Sequence, residues 1–194
     1  MLRQEVLIKN IPRSSMSNEK VTSFYWIFSG GCSSLLDLGC CEGNHTKHFP
    51  IPEKMFVDIE HMSNTLEPFL KADIRYAGKL FRPNSYDLVT ALDVIEHLHK
   101  EDGCKLPQDM EQIASKRILI FSPQGEYMVG ECQEGQLQHH AHWSGWTEEE
   151  LSDLGFTCLL CPDFHFSLGI GAFWAWKELD GSNITEQIWR LLCL

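Results

Sequence analysis

Long apolar stretches are missing from this chain. No run approaches the roughly 18–20 residues that a membrane-crossing helix needs, so no membrane partner is expected. The opening MLRQEVLIKNIPRSS has no apolar core followed by small residues, so it does not read as an export signal, and a cytoplasmic protein is expected. Basic residues are scarce: 16 Lys and Arg against 27 Asp and Glu leave a net charge of −11. No basic stripe offsets that field, which repels phosphate backbones, so nucleic acid is not an expected partner. The same field tolerates a cationic ligand. Internal repeats, low-complexity tracts and long linkers are also missing. The 194 residues therefore read as one domain, 1–194, with a helical N-terminal segment (1–30) and a C-terminal tail (178–194).

Cysteine, by contrast, is plentiful. The eight cysteines do not fall into a disulfide framework, and in a chain without an export signal they read as reduced, mostly buried thiols. Cys158 and Cys161 form a C-x-x-C, the spacing of zinc and redox sites. Its surroundings, FTCLLCP, read as a strand, and a period of two sends the two thiols to opposite faces. No second C-x-x-C completes a tetrahedral site, so a structural role is expected.

Seven short apolar runs punctuate the chain, at 35–38, 55–59, 72–74, 86–92, 117–121, 156–161 and 170–177. The first five are near-continuously hydrophobic, as strands covered on both faces should be. Helical patterns lie at 18–29, 93–99, 106–115, 147–154 and, in the tail, 183–194. This alternation implies an α/β domain with a mostly parallel sheet. The last two runs are too close for a crossover helix and read as an antiparallel hairpin at the sheet edge.

The segment SSLLDLGCCEGN (33–44) is the most informative. A buried strand that runs into a glycine-bearing turn lets the backbone approach a ligand closely. Asp58 follows Asp37 at about the 20-residue distance at which a carboxylate meets a ribose in dinucleotide-type folds. Asp37, just before the turn, suits a ligand with an ammonium group and would repel a pyrophosphate. The loop also lacks G-x-G-x-x-G. An aminoacyl-nucleoside fits these acids better than a nicotinamide dinucleotide, whose oxidoreductases stay as a rival reading.

The chain here resembles the class I S-adenosylmethionine (SAM)-dependent methyltransferases, in particular the small-molecule, type-11-like group. LDLGCCEG (36–43) is similar to their first motif, FVDIE (56–60) to the second strand, KADI (71–74) to the third segment, SYDLVTALDVIEHL (85–98) to the fourth strand and its helix, and ILIFSP (118–123) to the fifth strand. The resemblance spans about 33–177, with the segments in order. It implies a Rossmann-like, doubly wound, seven-stranded sheet, mostly parallel with one antiparallel edge strand and helices on both faces. It further implies SAM as methyl donor and S-adenosylhomocysteine as product, held by Asp37, Gly39, Cys40, Cys41 and Gly43 at the methionine end, Asp58 and Ile59 at the ribose, Asp73 and Ile74 at the adenine, and Leu92 at its flank. Cys41 departs from the pattern, standing where the family most often has a glycine. If the turn demands positive φ there, the cysteine costs on the order of 1 kcal/mol.

A sulfonium methyl is already activated, so alignment supplies most of the acceleration. A base is needed only for a hydroxyl or a protonated amine of a small-molecule acceptor. The candidates are His97, after the fourth strand, and His142, in the cluster QHHAHWSGW (138–146). The stretch 127–146 should form a loop over the carboxyl edge and give His142 and a tryptophan to an acceptor pocket. Zinc on His139, His140 and His142, with Cys132, is conceivable, but methyl transfer does not demand it, so no metal is expected. Thr147 opens a capping box. A catalytically silent SAM- or nucleoside-binding scaffold is the other rival.

Overall fold

A computed structural model describes residues 8–10, 18–126, 141–165 and 169–193. Eight strands form one sheet: β1 (Ile8–Asn10), β2 (Ser34–Leu38), β3 (Glu53–Asp58), β4 (Phe69–Lys71), β5 (Tyr86–Leu92), β6 (Ala114–Pro123), β7 (Thr157–His165) and β8 (Ile170–Glu178). Their order is β1-β7-β8-β6-β5-β2-β3-β4. Every pairing is parallel except those of β8, which runs antiparallel to both β6 and β7. The expected doubly wound sheet is thus present, with two refinements. A short strand, β1, pairs with β7 and adds an eighth member, and the antiparallel strand β8 lies inside β7, two places in from that edge.

Both faces of the sheet are covered, which is why β2 and β5 read as unbroken apolar runs. Helices α2 (Ala77–Leu80), α3 (Lys100–Ile113) and α4 (Glu148–Asp153) cover one face, where Leu106, Met110, Ile113 and Leu151 join the core. Helices α1 (Asn18–Ser29) and α5 (Ile184–Cys193) cover the other. Phe24 and Phe28 of α1, and Ile184 and Ile188 of α5, are four residues apart, so each pair shares one helical face and buries it. Arg117 of β6 is buried and donates from Nη1 to the Phe28 carbonyl at 2.8 Å, a cation at the end of α1 where the helix dipole favours it. No helix among the described residues is long and apolar enough to cross a membrane.

Several boundaries differ from those read in the sequence. The third strand is residues 69–71 rather than 72–74, whose last member opens a 3-10 turn, Ile74–Tyr76. Residues 93–99 hold only the 3-10 turn Ile95–His97, and α3 begins at Lys100 rather than at Leu106. The hairpin of β7 and β8 is as expected. Thr147 caps α4 in a full capping box with Glu150. Cys158 pairs across from Ala175 and Cys161 across from Ala172, and these alanines belong to the cores on opposite faces. Burial pushes both thiols up to about 12. The pair shares no face and is packed as apolar matter.

Candidate active site

The winding of the sheet reverses between β2 and β5, which are parallel neighbours although β3 and β4 intervene in sequence. Such a switch point leaves a crevice beyond the carboxyl ends of the strands. A cavity of about 570 Å³ lies there.

Its floor is the turn after β2. The N–H groups of Gly39 and Cys40 both donate to the Val57 carbonyl, at 2.8 and 3.0 Å, and the Cys41 N–H donates to Asp58 Oδ2 at 2.8 Å. Asp58 Oδ1 accepts from the Glu60 N–H at 3.1 Å. Gly39 has φ of 75°, and a Cβ there would stand 2.6 Å from Val94 Cγ2, so both conformation and space require glycine. Cys41 has φ of 50°, so the position does demand the left-handed region and the cysteine carries that strain. Its Sγ lies 3.4 Å from Met62 Sδ.

Asp37 is buried just below this turn. Thr46 Oγ1 donates to its Oδ2 at 2.5 Å and Thr90 Oγ1 to its Oδ1 at 2.8 Å. Burial pushes the carboxyl up to about 6 even though these hydrogen bonds favour the ionised form. Asp73 accepts the Arg75 backbone N–H at 3.0 Å, capping the 3-10 turn, and pairs with the Arg75 guanidinium at 2.5 Å.

Of the residues expected to hold a cofactor, all but Gly43 line this cavity. Gly43 is packed inside the turn, where a Cβ would meet Leu66 and Phe56 at 3.0 Å. His97 lines the cavity as well. His142 is not on the wall but stands directly against His97, with ring centroids 4.7 Å apart. The expected loop over the edge is described only from residue 141, and residues 127–140, with Cys132, His139 and His140, lie outside the described residues. Of the two tryptophans, Trp143 lines the cavity, whereas Trp146 is buried in the core with its Nε1 donating to Ser144 Oγ at 2.8 Å.

His45, Asp93, His99 and Asp102 line the same cavity, and no local pattern marked them as site residues. Asp93 holds φ of 55° and lies 3.7 Å from His45, and only a residue that tolerates the left-handed region fits there. In all, the carboxylates of Asp37, Asp58, Glu60, Asp73, Asp93 and Asp102 line the cavity, against one arginine, Arg75. Low-dielectric walls focus such a field, which favours a cationic ligand and opposes a phosphorylated one. Behind the wall, Glu96 is buried and takes the Ser122 hydroxyl at 3.0 Å. Burial and the neighbouring Asp93 charge push it up to about 8.

No family model and no curated protein sequence matches the chain. Its fold is that of the class I SAM-dependent methyltransferases. A SAM-dependent methyltransferase from Archaeoglobus fulgidus is similar at a TM-score of 0.56 and 20% identity, over 83% of this chain and 95% of that one. The 1,6-didemethyltoxoflavin-N1-methyltransferase of Burkholderia thailandensis, solved with 1,6-didemethyltoxoflavin and S-adenosylhomocysteine, gives 0.59 and 16% over 81% and 76%. The small RNA methyltransferase HEN1 gives 0.59 and 15% over 92% of this chain and 27% of that one.

The two turn positions should respond with opposite signs. Gly39→Ala should lower the unfolding free energy by about 2–3 kcal/mol, from backbone strain and the clash with Val94. Cys41→Gly should raise it by under about 1 kcal/mol, since relief of strain outweighs the added entropy of the unfolded chain. Denaturant titration of both variants checks this, and a shared sign would contradict the geometry. Asp37 binds its proton more tightly folded than unfolded, so its contribution to stability is complete below pH about 4 and is lost as pH rises through about 6. The gap is on the order of 3 kcal/mol. Asp37→Asn should therefore flatten the unliganded protein's stability profile between pH 4.5 and 7.5; a profile as steep as the parent's would remove Asp37 as its source.

Proposed function

We propose that this chain is a methyltransferase that takes its methyl group from SAM and places it on an oxygen or nitrogen of a small-molecule acceptor. The observation that carries the reading is the acidic cavity at the switch point, built on the strained turn and on Asp37 and Asp58. SAM brings an activated methyl on a sulfonium, together with an ammonium group and a ribose. Asp37 and the turn from Gly39 to Cys41 would meet the methionine end. Asp58 keeps lone pairs beyond its two backbone donors and would accept from the ribose hydroxyls. Asp73, Ile74 and Leu92 would flank the adenine. His97, His99 and Trp143 form the remaining wall, where an acceptor would lie.

The in-line displacement asks the chain chiefly to hold two reactants in register and exclude water. Acidic lining disfavours a pyrophosphate, which weighs against a nicotinamide cofactor, and the overall charge of −11 disfavours RNA as acceptor. A silent binding scaffold is the rival that the strained Cys41 keeps in view.

Incubation with methyl-labelled SAM and fractionated cell extract tests the reading. Label should enter a small-molecule fraction, and label in RNA alone, or in no fraction, would refute it. Asp58→Ala should weaken SAM binding by about 1–3 kcal/mol, roughly 5- to 150-fold, because the ribose hydroxyls lose their partner. Calorimetry showing unchanged affinity would remove Asp58 from the site.

A further inference from the structure

A strap of chain, residues 141–146, is zipped onto the turn that follows β5. The N–H groups of Trp143 and Ser144 both donate to the Glu96 carbonyl, at 2.8 and 3.1 Å, and the Ser144 hydroxyl and Trp146 Nε1 donate to the Ile95 carbonyl, at 3.3 and 3.2 Å. Side chains 45 residues apart in sequence are thereby brought together. Glu96, His97 and His142 each present a ligand atom, and these atoms all lie within 4.8 Å of one another.

We propose that Glu96, His97 and His142 bind a divalent transition-metal cation at the wall of the cavity. Ligands on a tetrahedral ion, at about 2.0–2.1 Å each, stand about 3.3 Å apart, so side-chain rotations of about 1 Å close the set. Three features beyond proximity point to a cation. His97 Nδ1 lies 3.1 Å from the Ala141 carbonyl, which can only accept. That bond puts the proton on Nδ1 and the lone pair on Nε2, the tautomer and orientation that metal-bound histidines take. Glu96 is buried, and among the described residues no lysine or arginine forms an ion pair with it. Burial disfavours a bare charge at Glu96, and a divalent ion would supply the countercharge for its carboxylate. Finally, the cluster reaches the cavity through His97, so positions left open on the ion would face the ligand space.

Two imidazoles with one carboxylate favour a first-row transition metal over magnesium or calcium, which prefer oxygen sets. With three protein ligands, at least one coordination position stays open for water or an acceptor oxygen. That last role rests on the methyl-transfer reading; the metal site does not. It also reassigns His97 and His142 from bases to ligands, since a coordinated imidazole nitrogen has no lone pair left to take a proton.

The test titrates Co2+ into the full chain after chelator dialysis, without SAM, and follows visible d–d absorption. One Co2+ per chain, displaced by Zn2+, is expected. His97→Ala and His142→Ala should each weaken binding more than about 100-fold, with far-UV circular dichroism unchanged, while His61→Ala should bind as the parent does. Glu96→Gln, which keeps the shape of the buried side chain, should also weaken it. Substoichiometric Co2+, or parental affinity in His142→Ala or Glu96→Gln, would overturn the site. SAM binding is measured separately in the metal-free protein, so failure of the metal site and failure of the methyl-transfer reading give different results.

Discussion

One turn holds the ligand end of this molecule together. The Val57 carbonyl takes the N–H groups of both Gly39 and Cys40, and Asp58 takes that of Cys41, so the end of β2 is tied to the end of β3. Asp37, one step earlier, is tied through Thr90 to β5 and through Thr46 to the segment after the turn. Three neighbouring strand ends therefore share one hydrogen-bonded knot, closed by left-handed backbone at residues 39 and 41 that is strained only at Cys41. The cavity exists because that knot keeps the chain low over the β2 end, where a side chain at Gly39 would collide with Val94.

A second constraint shapes the opposite wall. The carbonyls of Ile95 and Glu96 accept four donors from residues 143–146, which ties the strap to the β5 edge. Trp146 and Ser144 are buried as the anchor, and Trp143 is left half exposed against His99. The knot and the strap together bound the cavity, whose lining mixes acids with histidines. The field inside follows from composition as much as geometry, since an excess of acids over bases on the whole chain is concentrated in the cavity lining.

Much of this was legible in the sequence where local signals are strong. Helix α1 has its apolar pair at i and i+4 and a double-glycine stop, and it occupies the residues expected of it. Strand β5 and the capping box at Thr147 are equally plain, and the acids at 37 and 58 announce the switch point by their place beside a glycine turn. Helix α3 begins six residues ahead of the pattern at 106–115, across Gly103, a residue of low helix propensity. Gly103 makes room for Trp146, a contact across the fold that no local pattern carries. Strand β1 is three residues paired with a strand 150 positions away, below any periodicity signal. Gly43 shares a motif with the cavity residues yet packs on Phe56, and Asp73 lines the cavity while also capping a 3-10 turn. The Glu96–His97–His142 grouping depends wholly on the strap, so spacing alone could not reveal it.

The central claim is that this cavity recognises a cationic aminoacyl-nucleoside. Isothermal titration of the purified chain with SAM, and separately with a nicotinamide dinucleotide, tests it most directly. The account predicts one SAM per chain and no measurable heat from the dinucleotide, because six acidic residues line the cavity against one arginine. Saturable dinucleotide binding, or none by SAM, would contradict it.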